Sequence, residues 1–141
     1  MKKLFLILLA ALTLDSLEAQ TWHELEVGTS ENLNKVYFVN DTIGFIIGDN
    51  GLLLKTINGG NSWELIPLNV QHDLNTISFA NEEAGFINGL KTTDGGTTWT
   101  EQLSATHPLW DVSFGSANNG LTVGYDGQVF KTTNGGVNWV P

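Results

Sequence analysis

The side chains that could do chemistry in this chain are few. His72 and His107 each stand two residues ahead of a leucine, Leu74 and Leu109, and Asp73 follows the first histidine. Two imidazoles and a carboxylate on neighbouring loops form a set that can hold a metal ion. His23 lies in a different kind of segment, so no third histidine shares their position. The expectation is therefore exposed loop residues, open to a partner, with no metal and no cofactor. Glycoside hydrolysis needs two carboxyl groups roughly 5–10 Å apart, and Asp49, Asp73, Asp111 and Asp126 are the carboxylates to consider. Asp49 and Asp126 fall in Asp49-Asn50-Gly51 and Asp126-Gly127, turn signals in which aspartate serves the backbone. Trp110 could stack on a sugar or a peptide. It shares its alternation with Val112 and Phe114, so packing in the core or the central channel is expected of it. No residue is expected to be catalytic.

The elements that must carry these residues repeat. Trp22, Trp63, Trp99 and Trp139 are spaced by 41, 36 and 40 residues. Between them Leu33-Asn34-Lys35-Val36-Tyr37-Phe38, Leu74-Asn75-Thr76-Ile77-Ser78-Phe79 and Leu109-Trp110-Asp111-Val112-Ser113-Phe114 align. Gly44, Gly85 and Gly120 each follow eleven residues after the leading leucine. Val36/Phe38, Ile77/Phe79 and Val112/Phe114 have the two-residue period of a strand with one buried face. A second strand starts at each glycine. A hairpin signal and a third strand follow, Leu52 to Lys55 and Gln128 to Lys131. A fourth strand starts near each tryptophan. The middle unit is five residues shorter, and Asn88-Gly89 there suits a two-residue type I′ turn. Four antiparallel strands recurring every 40 or so residues are the pattern of a β-propeller blade. The fold class is all-β, with three such blades.

Each unit closes on one turn motif, Thr-x-(Asn/Asp)-Gly-Gly-x-x-Trp. Its copies hold Thr56, Asn58, Gly59, Gly60 and Trp63; Thr92, Asp94, Gly95, Gly96 and Trp99; and Thr132, Asn134, Gly135, Gly136 and Trp139. Asn or Asp can fold its side chain onto nearby backbone N–H groups, and the hydroxyl can bond within the turn. The glycines permit left-handed backbone angles, and the tryptophan is a large apolar anchor. None of this needs a ligand.

These residues resemble the Asp-box (BNR) repeat, Ser/Thr-x-Asp-x-Gly-x-Thr-Trp, whose fixed positions the second copy matches throughout. The longer context, a glycine-led apolar strand, Gly-x-(Asn/Asp)-Gly, then Lys-Thr-x-(Asn/Asp)-Gly-Gly-x-x-Trp, is similar to the photosystem II stability/assembly factor-like propellers. That resemblance implies a propeller and leaves function open, because Asp-box repeats serve sialidases, xyloglucanases, sorting receptors and scaffolds alike. Sialidases clamp a substrate carboxylate with an arginine triad. All six basic residues here are lysines, so that triad cannot be built. The basic, arginine-rich partner surface of the assembly factors is likewise missing, so a photosynthetic role is not expected.

The net charge of −9 argues against binding nucleic acid or an anionic membrane surface. Lys2 and Lys3 precede an apolar run, Leu4 to Leu14, that is too short to span a bilayer. With Leu17-Glu18-Ala19 after it, residues 1–19 read as a secretory signal peptide and 20–141 as the propeller domain. The product is expected in the periplasm, at the cell surface or outside the cell. The Ala19-Gln20 junction also resembles signal-peptide ends of secreted Bacteroidota proteins. Cysteine is absent, which excludes a disulfide framework or a thiolate metal site.

Three blades are fewer than the roughly four to eight of a ring. The sequence stops where the fourth strand of the last unit should run, and Thr21 to Val27 resembles an isolated fourth strand. The expectation is part of a larger, six- to eight-bladed propeller; otherwise, if the chain is complete, two copies pair as a homodimer. The function expected is a non-enzymatic scaffold that binds a protein or glycan partner. The rival is a fragment of a glycoside hydrolase.

Overall fold

A computed structural model describes residues 24–103 and 108–141. The signal-peptide expectation and His107 lie outside the described residues. The first blade contains β1 (Leu33–Phe38), β2 (Gly44–Gly48), β3 (Leu53–Thr56) and β4 (Glu64–Leu65), hydrogen-bonded in that order. The second contains β5 (Ile77–Phe79), β6 (Gly85–Ile87), β7 (Leu90–Thr92) and β8 (Thr100–Glu101), again in chain order. The third contains β9 (Leu109–Phe114), β10 (Gly120–Gly124) and β11 (Val129–Thr132). A single antiparallel bridge, Lys131 to Val140, stands where its fourth strand would be. All pairings are antiparallel, as short hairpin connections require.

The aligned glycines have a packing reason. Phe38, Phe79 and Phe114 lie across the hairpin from Gly44, Gly85 and Gly120. A Cβ on those glycines would come within 2.7, 2.6 and 2.8 Å of the facing ring. The ring occupies the volume that a side chain would need.

The sheets stack face on face, and the core lies between them. Phe45, Ile47 and Leu53 of the first blade pack against Leu74, Ile77, Phe79 and Ile87 of the second. Phe86 on the other face of the second blade meets Phe114 and Trp139 of the third. Burying apolar surface on both faces of the middle sheet is the main source of stability, at roughly 25 cal/mol per Å². The turn tryptophans are half-buried rather than fully buried. Trp99 meets Phe45 and Phe79 edge-on at 6.4 and 6.1 Å, so it rivets two blades together.

Residues 24–27, expected as strand, are irregular. An outermost strand exists only by pairing with a third strand, and the third strands among the described residues have Leu65, Glu101 and Val140 beside them. Val27 instead packs against Ile46, Leu52 and Leu54.

Candidate functional site

The antiparallel order puts two sets of connections at opposite ends of the stack. At one end lie the β2–β3, β6–β7 and β10–β11 hairpins and the loops entering the inner strands β1, β5 and β9. At the other lie the turn motifs. His72, Asp73 and Trp110 belong to the first end.

The hairpins there turn on left-handed residues. Asn50 has φ 55° and Asp126 φ 52°, each followed by a glycine at positive φ. Asn88 at 43° and Gly89 at 95° make the two-residue turn expected of the shortened hairpin. The loops are tied to these hairpins. Asp49 accepts hydrogen bonds from Asn32 Nδ2 at 2.7 Å and Asn34 Nδ2 at 2.9 Å, which hold its carboxyl below the ordinary range. Asp73 Oδ1 accepts from the Asn50 N–H at 3.2 Å, and its carbonyl accepts from Asn88 Nδ2. The His72 ring lies with Nδ1 3.2 Å from the Asp73 carbonyl. Asp49 and Asp73 are thus engaged in holding loops to hairpins.

Trp110 does not enter the core. The pairing of β9 with β10 slips between Val123 and Gly124, and a slip of one residue reverses the faces. The same slip occurs between Leu33 and Lys35 in β1. Trp110 is consequently exposed and packs on Tyr125, ring centroids 5.0 Å apart at 50°. Alternation and turn motifs do not single out Tyr125. Its signal lies in the repeat alignment, where Tyr125 matches Asp49 as Trp110 matches Asn34. An Asn34–Asp49 hydrogen bond in one blade is replaced by an aromatic pair in another. Among the described residues no hydrogen bond or ring contact joins this pair to His72 or Asp73. No group of three or more His, Cys, Asp or Glu gathers among them in a way that could hold a metal.

The inner strands bring together three residues at one repeat position. Thr76 Oγ1 donates to Asp111 Oδ1 at 3.1 Å and accepts from the Val112 N–H at 2.8 Å. Lys35 Nζ donates to the same carboxylate at 3.1 Å. Partial burial pushes the Asp111 carboxyl up, but the Lys35 and Thr76 hydrogen bonds and the Lys35 charge outweigh it and set it below 3.8.

At the opposite end the three motif turns share one bonding plan. Thr56, Thr92 and Thr132 are buried, and each Oγ1 accepts from the backbone N–H of Gly60, Gly96 or Gly136. Each hydroxyl donates to Asn58, Asp94 or Asn134. That side chain in turn accepts from the N–H of Ser62, Thr98 or Asn138. Gly59, Gly95 and Gly135, all at positive φ, donate to the β1–β2 type turn of their own blade, at Thr42, Glu83 and Asn118. The charged member, Asp94, is held far below the usual carboxylate range, first by the Thr98 hydroxyl at 2.6 Å and then by the Thr98 N–H and Thr92. These are backbone-closing bonds, and they leave little of the motif for a ligand.

The comparisons with known proteins agree with this architecture. The family described as "Photosynthesis system II assembly factor YCF48" matches residues 14–108, more than half of the chain. The chain belongs to the YCF48 family. A Photosystem II assembly lipoprotein Ycf48 of Synechococcus sp. (strain CC9902) is 29% identical over 130 residues, 84% of this chain and 39% of that protein. One from Prochlorococcus marinus is 42% identical over 43 residues, 30% of this chain and 13% of that one. The structure of YCF48 bound to D1 peptide superposes with a TM-score of 0.76 at 25% identity, over 88% of this chain and 43% of its own. YCF48 from Cyanidioschyzon merolae gives 0.75 at 25% identity, over 86% and 42%. An ancestral GH74 enzyme, at 19% identity and a TM-score of 0.69, shares the fold. The chain therefore spans less than half the length of these relatives. No helix among the described residues is long and apolar enough to cross a membrane.

Proposed function

We propose that this YCF48-family chain is an exported, non-enzymatic propeller scaffold that binds a protein partner. Binding takes place at the hairpin end, where His72, Asp73, Trp110 and Tyr125 stand and to which the sequence assigns His107. The observation that carries the reading is the likeness to a YCF48 structure holding a peptide. The engagement of Asp49, Asp73 and Asp111 in scaffold hydrogen bonds supports it further, because a glycosidase needs two carboxyl groups free to face a glycosidic bond. The partner surface differs from a basic one: the chain carries no arginine and a net charge of −9. Partners with basic or neutral, aromatic-rich segments suit it, and a photosynthetic role does not carry over.

The rival, a piece of a glycoside hydrolase, keeps the support of the shared fold with the GH74 enzyme. A peptide array and a glycan array, read beside a glycosidase assay on xyloglucan and related polysaccharides, separate the two. Saturable peptide binding that Trp110→Ala weakens, without turnover, is the expected result. Robust turnover overturns the scaffold reading.

A further inference from the structure

Between the first two blades, on the side of the outermost strands, lies a cavity of about 340 Å³. Binding pockets run from about 300 to 1,000 Å³, and this size suits one long side chain. Strand geometry explains the lining. Glu101 ends β8, and Trp99 stands two residues before it, so their side chains leave the same face. Leu90 pairs directly with Glu101 across β7 and β8 and adds its side chain to that face. The facing wall is the link from the first blade to the second, with Leu68, Asn69 and Val70. Burial grades the cavity. Leu90 is buried, Leu68, Val70 and Trp99 are half-buried, and Asn69 and Glu101 are exposed. An apolar interior thus opens, past an indole, to a carboxylate at its mouth.

We propose that this cavity receives an arginine side chain of a partner protein. The aliphatic stem lies along Leu68, Val70 and Leu90, and the guanidinium meets the Trp99 ring and the Glu101 carboxylate. A planar, weakly hydrated guanidinium stacks on an indole and bonds a carboxylate, which the compact ammonium of lysine does less well. Among the described residues no basic side chain lines the cavity and none bonds Glu101; the ion pair of Lys35 with Asp111 lies elsewhere. The Thr97 and Thr98 hydroxyls beside the cavity are engaged by Asp94, which leaves Glu101 as its charged acceptor. A net charge of −9 without any arginine favours a cationic visitor.

The blade itself does not require a carboxylate at this position. Leu65 occupies it in the first blade and Pro141 in the third. Both walls of the cavity belong to the two blades whose four strands are all described, so it does not depend on where the sequence starts or stops. From Val70 the chain runs on to His72 and Asp73, which puts the cavity beside the hairpin-end surface. One partner can cover both, and to that extent the inference rests on the partner-binding reading.

The test is an NMR titration of this chain, isotope-labelled at its indole nitrogens, with an acetylated and amidated peptide carrying a single arginine between alanines. The Trp99 indole resonance, assigned by its loss in Trp99→Phe, is expected to shift saturably, and added salt is expected to weaken the binding. The same peptide with citrulline in place of arginine, which keeps the shape and removes the charge, is expected to leave the resonance unmoved. Glu101→Gln is expected to weaken arginine-peptide binding about fivefold, the upper end for an exposed ion pair. Glu101→Lys is expected to abolish it. Both variants are expected to keep the wild-type melting temperature, because Glu101 is exposed. The Trp110 resonance reports the hairpin end in the same spectra, so failure of the cavity and failure of the hairpin-end reading are told apart. An unmoved Trp99 resonance, equal binding of the citrulline peptide, or wild-type affinity in Glu101→Gln overturns the proposal.

Discussion

Lys35 Nζ and Asp111 Oδ1 lie 3.1 Å apart although 76 residues separate them, and they occupy the same repeat position in the first and third blades. Thr76, at that position in the second blade, bonds the same carboxylate. One position per blade thus ties the three inner strands together. Both ends of the ion pair are partly exposed, so its worth is modest, on the order of 1 kcal/mol or less.

The Asp111 carboxyl is set below its ordinary value of 3.8 in the folded chain. Its contribution is therefore present in full above 3.8 and is lost as pH falls through the lower folded value. Denaturant titrations at neutral pH and near pH 3 are expected to show Asp111→Asn less stable than wild type at neutral pH, with the gap narrowing in acid. A gap that widens in acid contradicts this sign.

Asp94 gives a cleaner acid dependence, because its turn has natural amide counterparts in Asn58 and Asn134. Asp94→Asn is expected to fold normally, since asparagine closes the same turn twice elsewhere in the chain. The wild-type advantage in melting temperature is expected to be largest at neutral pH and to shrink below pH 3.8. Asp94→Ala, which loses the acceptor of the Thr97 and Thr98 N–H groups, is expected to melt lower than Asp94→Asn.

Gly85 is needed for space, not for an unusual backbone angle. Its Cβ would come within 2.6 Å of the Phe79 ring. Gly85→Ala is expected to cost about 1–3 kcal/mol in denaturant unfolding. Gly115→Ala, with nothing within 4 Å, is expected to stay within about 0.5 kcal/mol of wild type. Adding Phe79→Leu to Gly85→Ala is expected to recover part of the loss.

Trp99 touches rings of two blades and donates its indole N–H to the Gly96 carbonyl at 3.3 Å. Trp99→Ala is expected to cost about 3 kcal/mol, the low end for large aromatics because the ring is half-buried. An unchanged melting temperature rules out the anchoring role.

Much of this fold is legible in the amino-acid sequence. Strand alternation, the turn motif and the Asn88-Gly89 hairpin are local signals, and each depends on residues a few positions apart. The candidate site is less so. Alternation alone puts Trp110 on the face of Val112 and Phe114, because it runs straight through a pair that slips, and the slip is set by how β9 meets β10. Tyr125 is visible only when the repeats are aligned position by position.

The amino-acid sequence by itself determined the blade, its repeat register and the chemistry of its turns, because those follow from backbone geometry over short spans. Only the tertiary structure decided that Lys35, Thr76 and Asp111 converge, and that equivalent apolar residues are buried in one blade and exposed in another. The physical reason is that both outcomes depend on which sheet lies against which, and a residue's own sequence neighbours do not encode its neighbour across the stack.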